Sequence, residues 1–292
     1  MYMYFVYKIR VISQVCFLNS TFLLFYSVKQ LQNDLLYFGI FDGHGNAKCA
    51  QFCNENMYKY ILYWLQSGNN DLEDILEKSF IEINNAFAHH TTYNDTVQSD
   101  NGPSGTTAVV CLLRNNTELV IAHVGDSRAL LCRNGEPQKL TIDHNADLLS
   151  EKQRVIKSGG TIITNSLGTS LVNGRLAMTR SIGDFDVKPF GVTCIPDTQT
   201  VEIKHGKDAF LIMTTDGINF VMNDAEIVNV VNRSRLAHEA AQSVVEQALH
   251  YGCDDNATAI VIPFGAWGKF KQMSSSAFMY SFGRELIKSN RF

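Results

Sequence analysis

The sequence predicts an α+β fold in which antiparallel strands are combined with pairs of helices. Two amphipathic helices come early in the chain, a run of β-rich segments joined by short turns follows, and two more helices precede a last strand. Hairpins in the middle of the chain indicate antiparallel pairing, whereas a parallel sheet needs a regular alternation of strand and helix. We therefore expect a layered α+β domain.

The first helix pair is predicted from the spacing of apolar residues. Between Asn46 and Gln66 apolar residues recur at steps of three and four, which places them on one side of a helix. A second helix is predicted over 71–89, and three acidic residues stand in its first turn, where the helix dipole favours negative charge. Both helices have one apolar side to bury.

Two β-hairpins are predicted in the middle of the chain. The strands of the first cover 106–113 and 118–124, and those of the second cover 129–133 and 136–140. Asn134-Gly135 lies between the strands of the second hairpin, and this dipeptide readily adopts the positive φ angles of a tight hairpin turn. Because a short turn reverses the direction of the chain, the two strands of each hairpin must be antiparallel.

The remaining elements are predicted from helix caps and apolar runs. Ser150 and Gln153 form a capping box for a short helix over 150–158, and Asn223 with Glu226 three residues later starts another helix. The other predicted elements are a turn at 173–174, strands over 35–41, 200–204, 209–214 and 257–264, and helices over 224–232 and 237–251.

Charge and cysteine usage narrow the class of protein. The 292 residues include 25 Lys and Arg against 29 Asp and Glu, a formal net charge of −4, so the balance gives no basic surface for nucleic acid. The seven cysteines are odd in number and scattered, as in a reduced intracellular protein. Cys49 and Cys53, four residues apart on a helix, are interpreted as small core residues rather than a metal clip.

Acidic residues stand at the edges of three β-rich runs. Asp42 and Asp216 each follow such a run and precede a glycine, and Asp255 ends an acidic pair before the last strand. If the strands lie in packed sheets, these carboxylates can meet at one rim, and carboxylates without thiolates suit Mg²⁺ or Mn²⁺. The alternative for each Asp-Gly pair is ordinary turn chemistry.

Five short runs follow one another in a fixed order: Phe41-Asp42-Gly43-His44-Gly45, Gly105-Thr106-Thr107-Ala108, Val124-Gly125-Asp126-Ser127-Arg128, Met178 to Asp184, and Thr214 to Ile218. Together they resemble the metal-dependent serine/threonine protein phosphatases of type 2C, over roughly residues 34–267. Within that family, the runs over 172–180 and 263–269 look most like the mitochondrial member that dephosphorylates the branched-chain α-ketoacid dehydrogenase complex.

The resemblance implies a four-layer α-β-β-α sandwich, with two antiparallel sheets between helix pairs and a site for two Mg²⁺ or Mn²⁺ ions. Matched by position, Asp42 would bridge the ions, the Gly43 carbonyl would bind the second, and Asp216 and Asp255 would hold the first. Two divalent ions about 4 Å apart lower the pKa of a water between them, which can then attack phosphorus. The implied reaction is hydrolysis of phosphoserine and phosphothreonine on proteins.

The resemblance also implies roles for residues around the ions. His44 matches the general acid that protonates the departing serine or threonine oxygen, and its alternative is a hydrogen bond within its own loop. Asp126 matches a ligand of a third, weaker ion, and its alternative is an ion pair with Arg128. Arg180 and Asp184 border a variable flap, where we expect them to anchor the loop first and to face substrate second.

The chain departs from the type 2C pattern before residue 34. The family pattern begins with a strand carrying an Arg that binds phosphate, followed by an acidic pair that includes a ligand of the second ion. Here Val11 to Asn33 contains no acid and only one basic residue, Lys29. We therefore expect a weakened second metal site, and the alternative function is a catalytically impaired pseudophosphatase that binds phosphoproteins or partner enzymes.

The predicted organisation is an atypical apolar segment over 1–33, a phosphatase-like domain over 34–267 and an extension over 268–292. Val11 to Val28 is either a membrane signal anchor or, as we favour, contributes an outer strand of the sheet over Thr21 to Tyr26. We expect a monomer that acts on phosphorylated proteins in the mitochondrial matrix or the cytoplasm. Because one Arg precedes residue 100, the composition does not favour a mitochondrial presequence.

Overall fold

The computed structural model describes residues 12–16, 23–94, 103–166 and 168–271. The helices are α1 (Lys48–Gln66), α2 (Leu72–Asn94), α3 (Leu149–Lys157), α4 (Asp216–Asn219), α5 (Asp224–Arg233) and α6 (Ala237–His250). The strands are β1 (Ile12–Cys16), β2 (Leu24–Gln32), β3 (Leu35–His44), β4 (Gly105–Thr106), β5 (Ala108–Arg114), β6 (Glu118–Val124), β7 (Arg128–Arg133), β8 (Glu136–Lys139), β9 (Ile162–Thr164), β10 (Ser170–Val172), β11 (Ile182–Gly183), β12 (Asp197–Glu202), β13 (Asp208–Thr214) and β14 (Ala257–Pro263).

Most strands belong to two antiparallel sheets. In the β13 sheet the order is β1-β14-β13-β7-β8. In the β3 sheet the order is β2-β3-β5-β6-β12, and at one end β4 pairs with the last residues of β3 and β11 pairs with β4. The β9 and β10 strands form a small separate sheet beside α3, within the segment that we call the flap, residues 149–192.

Apolar side chains hold these elements together in four layers. One buried cluster, which includes Phe38, Leu131 and Ile260, lies between the β3 and β13 sheets. The α1–α2 pair covers the outer face of the β3 sheet through a cluster that includes Phe80, and the α5–α6 pair covers the β13 sheet through one that includes Val244. The α+β fold class and the four-layer α-β-β-α sandwich are therefore confirmed.

The predicted hairpins are present with the expected turn chemistry. Asn115 and Asn116 have φ angles of 53° and 58°, and Asn134 and Gly135 have φ angles of 56° and 89°. Two consecutive left-handed residues give a turn whose twist matches that of the flanking strands. Asn and Gly adopt this conformation most readily, so these short polar runs locate the turns.

Helix ends follow the sequence less closely than helix interiors. The α5 capping box is confirmed, because Asn223 Oδ1 accepts a hydrogen bond from the Glu226 amide at 3.0 Å and the Glu226 carboxylate accepts one from the Asn223 amide at 2.9 Å. The predicted capping box of α3 is wrong. That helix begins one residue earlier than predicted, after Leu148, so Ser150 lies inside the first turn and caps nothing.

The segment before residue 34 contributes strands to the sheets. β2 pairs with β3 from Leu24 opposite Asp42 to Gln32 opposite Leu35, which confirms the outer strand and extends it past Tyr26. A membrane helix over 11–28 is wrong for 12–16 and 24–28, which are extended strands. Across the described residues, no helix combines the length and hydrophobicity needed to cross a membrane. Residues 1–11, 17–22 and 272–292 of the predicted terminal segments lie outside the described residues.

Candidate active site

Four predicted carboxylates lie together where the two sheets meet at one rim. Asp42 is near the end of β3, Asp126 is in the turn between β6 and β7, Asp216 begins α4 directly after β13, and Asp255 precedes β14. The carboxyl groups of Asp42 and Asp216 are close enough for each to influence the protonation of the other, and the charges of Asp126 and Asp255 act on Asp42. Residues up to 213 positions apart in sequence (255 − 42) are thus brought to one place.

The crowding of like charge changes the protonation of this carboxylate group, Asp42, Asp126, Asp216 and Asp255. Burial raises the pKa of Asp42 well above its usual value, and the neighbouring carboxylates raise it further. Burial and the charge of Asp216 raise the pKa of Asp126 to about 7, and burial with the charge of Asp255 raises that of Asp216. Such shifts indicate a place where negative charge lacks a compensating cation.

The donor atoms of this group fit a hard divalent cation. Asp126 Oδ1 is buried and has no hydrogen-bond partner within the described part of the chain, so it remains available as a ligand. The alternative pairing with Arg128 is wrong, because that guanidinium binds Asp143 at 2.6 Å and Asp224 at 3.2 Å. All-oxygen donor sets of this kind suit Mg²⁺ or Mn²⁺ rather than soft metals.

Gly43 is required for the close packing of the loop that follows Asp42. Its amide donates a hydrogen bond to the Leu23 carbonyl at 2.9 Å, and a Cβ added at Gly43 would lie 2.8 Å from that oxygen. A larger residue would push β2 away from the end of β3. The assignment of the Gly43 carbonyl as a metal ligand stays a prediction.

No basic side chain of β2 lies beside the carboxylate group. Lys29, the single basic residue between positions 11 and 33, is opposite Tyr37, and its ammonium lies 4.3 Å from the centre of the Tyr58 ring. The β2 residue opposite Asp42 is Leu24, about 17 Å along the strand from Lys29. Lys29 therefore cannot take the place of the Arg expected from the type 2C pattern.

His44 pairs with a residue from a distant part of the chain. Its Nε2 lies 2.7 Å from Asp184 Oδ2, and that oxygen also accepts a hydrogen bond from Ser181 Oγ at 2.6 Å. The alternative that His44 bonds only its own loop is therefore wrong. Burial tends to raise the pKa of Asp184, but the hydrogen bond and charge of His44 lower it below its usual value.

Ion pairs of Arg180 hold the flap together and join it to the sandwich. Arg180 binds Glu151 of α3 at 2.8 Å and Asp197 of β12 at 2.6 Å, which is the anchoring role expected for it. Asp197 in addition accepts a hydrogen bond from His144, whose Nδ1 accepts one from the Gly125 amide. This chain of contacts connects the flap to the turn that carries Asp126.

Replacing Glu151 with Gln is expected to destabilise the fold by about 3 to 5 kcal/mol, because two arginines lose their buried anionic partner. Glu151 is 1% exposed and also accepts a hydrogen bond from Thr179. Burial alone would raise its pKa, but the bonds from Arg154, Arg180 and Thr179 lower the pKa to about 2.

Urea unfolding of the wild type and the Glu151→Gln variant measures this effect. Since the folded-state pKa lies below the unfolded value, the stability difference is complete above about pH 4.5 and declines as the pH falls towards 2. The exposed Glu136→Gln on β8 serves as control and should leave the unfolding midpoint unchanged. Equal midpoints for all three proteins at pH 7 would contradict the anchoring role.

A second group of metal-capable side chains was not predicted from the sequence. Of the residues that the structure describes, His123, His144 and Asp197 have ligand atoms within 4.8 Å of one another. The two imidazole rings are stacked with centroids 4.5 Å apart, and burial lowers the pKa of His123 to about 4. His123 Nε2 lies 2.9 Å from the Ile142 carbonyl oxygen, and the His144 nitrogens are hydrogen-bonded, so this group is held together without an ion.

The cysteines behave as core residues. Cys49 and Cys53 are fully buried, and cysteines 49, 53, 111, 132, 194 and 253 are free thiols. Neither Cys49 nor Cys53 belongs to a metal-capable group in the described part of the chain. Their interpretation as small apolar residues on α1 is confirmed.

Comparison with known proteins identifies the family. A family model described as Protein phosphatase 2C matches residues 15–257. The chain belongs to the protein phosphatase 2C family. It is 51% identical over 267 residues to "Protein phosphatase 1K, mitochondrial" of Xenopus laevis, covering 91% of this chain and 70% of that protein.

Further matches agree with this membership. The chain is 33% identical over 232 residues to "Protein phosphatase 2C homolog 1" of Schizosaccharomyces pombe, covering 77% of this chain and 63% of that protein. A solved structure described as a C. elegans sex determining protein superimposes with a TM-score of 0.81 at 22% identity, covering 91% and 67% of the two chains, and shows the shared fold. The comparisons give no support to the pseudophosphatase alternative.

Proposed function

We propose that this chain hydrolyses phosphoserine and phosphothreonine on proteins in the presence of Mg²⁺ or Mn²⁺. The observation that supports the proposal best is the meeting of Asp42, Asp126, Asp216 and Asp255 at one rim of a protein phosphatase 2C fold. Among the residues that the structure describes, no arginine or lysine forms an ion pair with these four carboxylates, and Arg128 pairs with Asp143 and Asp224 instead. The four would therefore repel one another unless cations lie between them.

We assign metal binding to the carboxylates and to Gly43, and proton transfer to His44. Asp42 and the Gly43 carbonyl hold the second ion, Asp42, Asp216 and Asp255 hold the first, and Asp126 serves a further, weaker site. When bound, the ions would supply Lewis acidity, which polarises the phosphate and makes water nucleophilic at neutral pH. His44 gives a proton to the serine or threonine oxygen as its bond to phosphorus breaks.

Phosphate release from a phosphothreonine peptide, measured with Mn²⁺ and with EDTA, tests this function. We expect hydrolysis that depends on Mn²⁺ and is absent with EDTA, and little release of phosphate from a phosphotyrosine peptide of the same sequence. A branched-chain α-ketoacid dehydrogenase phosphopeptide is a suitable first substrate, given the resemblance of the 172–180 run. Release that is equal with and without metal would contradict the proposal.

The second ion is proposed to bind weakly because the first strand lacks its acidic pair and its Arg. A chimaera in which a family strand carrying those residues replaces residues 12–33 is expected to need about tenfold less Mn²⁺ for half-maximal rate. That factor corresponds to roughly 1.4 kcal/mol of binding free energy. The same chimaera with the Arg and the acidic pair changed to alanine is the matched control, and equal Mn²⁺ requirements for both would place the defect elsewhere.

We further propose that the protein works in mitochondria. The support is the identity with the Xenopus laevis protein, whose name places it there. Fractionation of cells that express the chain with a C-terminal tag tests the location. Recovery of the tagged chain in the cytosolic fraction alone would contradict this part of the proposal.

A further inference from the structure

The contact between His44 and Asp184 is built across three adjacent strand ends. Gly105 of β4 lies between them, opposite His44 of β3 on one side and Gly183 of β11 on the other. A Cβ at Gly105 would lie 2.2 Å from Asp184 Oδ2 and 2.3 Å from His44 Nε2. The two side chains can meet because position 105 has no side chain.

Several further contacts hold Asp184 in place. Its backbone has a φ angle of 50°, its amide donates a hydrogen bond to the Ser104 carbonyl at 3.0 Å, and its side chain is 6% exposed. Ser181 Oγ donates to the same oxygen that contacts His44. Both the backbone and the carboxylate of Asp184 are therefore held in place by contacts other than the one with the imidazole.

The position of the carboxylate decides which ring nitrogen of His44 remains free. With Nε2 engaged by Asp184, Nδ1 is buried and has no hydrogen-bond partner among the described residues. His44 lies close enough to the carboxylate group for its charge to act on Asp126 and Asp216. An acidic partner on one imidazole nitrogen holds the ring and leaves the other nitrogen for proton transfer.

We propose that Asp184 is a positioning residue that holds the His44 ring with Nδ1 free to give a proton to the leaving serine or threonine oxygen. The inference rests on the proposed phosphatase function. As water attacks, a new bond forms between its oxygen and phosphorus, and the old bond breaks with its electron pair on the leaving oxygen. That oxygen takes the Nδ1 proton, and the proton lost by the water passes to solvent, from which His44 is later reprotonated.

The choice of leaving group separates this role from a structural one. An alkoxide from phosphothreonine needs a proton to leave, whereas nitrophenolate from p-nitrophenyl phosphate leaves readily without one. We expect Asp184→Asn to lower kcat on a phosphothreonine peptide about tenfold or more and kcat on p-nitrophenyl phosphate less than about threefold. Asn tolerates the left-handed backbone at position 184, so the variant keeps the local conformation.

Two further variants complete the kinetic test. In a His44→Ala background, Asp184→Asn should cause no additional loss, because a residue that acts through His44 has nothing left to position. Asp186 lies two residues after Asp184 and forms an exposed ion pair with Arg175. Asp186→Asn removes the same charge as Asp184→Asn and should leave the rates on both substrates unchanged. Equal losses on both substrates, or losses that multiply in the double variant, would overturn the inference.

A spectroscopic measurement keeps the inference testable apart from activity. In the form of His44 that carries a proton on each ring nitrogen, nitrogen-15 imidazole spectra of the full chain should show an Nε2 signal typical of a hydrogen bond to a carboxylate, and this signal should change in Asp184→Asn. Identical His44 signals in the two proteins would overturn the positioning role. A wild-type chain that hydrolyses neither substrate with Mn²⁺ would instead overturn the proposed function, and the spectra would still show whether Asp184 holds the ring.

Discussion

Asp216→Asn is expected to reduce Mn²⁺-dependent phosphatase activity at least about a thousandfold while making the metal-free chain more resistant to heat. The loss of activity follows from removing a charged ligand of the proposed first ion, since several kcal/mol of charge stabilisation in the transition state correspond to about that factor in rate. The gain in stability has a separate origin, which is the repulsion between the carboxylates of this group.

Without cations, the carboxylate group places like charges against one another. Burial raises the pKa of both Asp42 and Asp216, and neighbouring carboxylates raise it further. An amide at position 216 keeps the shape of the side chain and removes one of the charges, so the folded state loses repulsion that the unfolded chain does not feel. Residues that stabilise a metal site thus destabilise the same site when it is empty.

Thermal unfolding in EDTA, paired with phosphate release in Mn²⁺, measures both halves of this prediction. Asp34→Asn, an exposed residue in the turn between β2 and β3, is the control that removes an equal charge elsewhere and should change neither quantity. An Asp216→Asn variant that keeps its activity would contradict the proposed ligand role. A variant that loses stability in EDTA would contradict the account of the repulsion.

Asp126→Asn is expected to stabilise the metal-free chain in a pH-dependent way. The pKa of Asp126 is about 7 in the folded state, against a usual value of 3.8, because burial and the charge of Asp216 oppose ionisation. The folded chain therefore binds this proton more tightly than the unfolded chain, and the wild type loses stability as the pH rises from about 4 through about 7. An amide at this position does not titrate.

The stability difference between Asp126→Asn and the wild type should therefore be small near pH 4 and largest above pH 7. At pH 8 we expect the metal-free variant to melt on the order of 5 °C higher, allowing for partial solvent exposure of the carboxylate. Saturating Mn²⁺ should reverse the order, because the wild-type carboxylate then has a cation to bind.

Melting curves in EDTA at pH 5, 6, 7 and 8 provide the measurement, again with Asp34→Asn as control. His123 has a lowered pKa of about 4, so it makes the folded chain more stable as the pH rises towards 6.5, which is opposite to the effect of Asp126. His123 is present in both the wild type and the variant, so its contribution cancels in the difference between their melting temperatures. A difference that stays constant from pH 5 to pH 8 would contradict the raised pKa of Asp126.

The sequence predicted the layers and the carboxylates because both depend on local patterns. Apolar spacing defined α1 and α2, Asn-rich or Asn-Gly turns located the hairpins, and an acid at each strand end indicated the rim where Asp42, Asp216 and Asp255 meet. Strand ends of packed sheets converge by geometry, so several acids at strand ends, together with the fixed order of the runs around them, predict such a site although each Asp-Gly alone could be an ordinary turn. The start of α3 was missed because Asn145 and Leu148, rather than Ser150, set its first turn.

The pairs that depend on tertiary structure could not be predicted in the same way. His44 and Asp184 are 140 residues apart, and nothing in their spacing indicates a contact. The position of Gly105 between them offers one signal, since a glycine beside two threonines in a strand often marks a close approach. Likewise, Arg128 forms ion pairs with Asp143 and Asp224 rather than with Asp126, which is closer to it in sequence. The Asp126 carboxylate is buried at the rim instead, and its Oδ1 has no partner among the described residues.

Anomalous scattering from crystals of the chain soaked in Mn²⁺ would show whether the carboxylate group binds metal ions. We expect anomalous density between the carboxylates of Asp42, Asp216 and Asp255, with a weaker second peak beside Asp42 and Gly43. We expect none between His123, His144 and Asp197, where hydrogen bonds already occupy the ring nitrogens of His144. Manganese density at the histidine group alone, or none near Asp42 and Asp216, would contradict the proposed metal site.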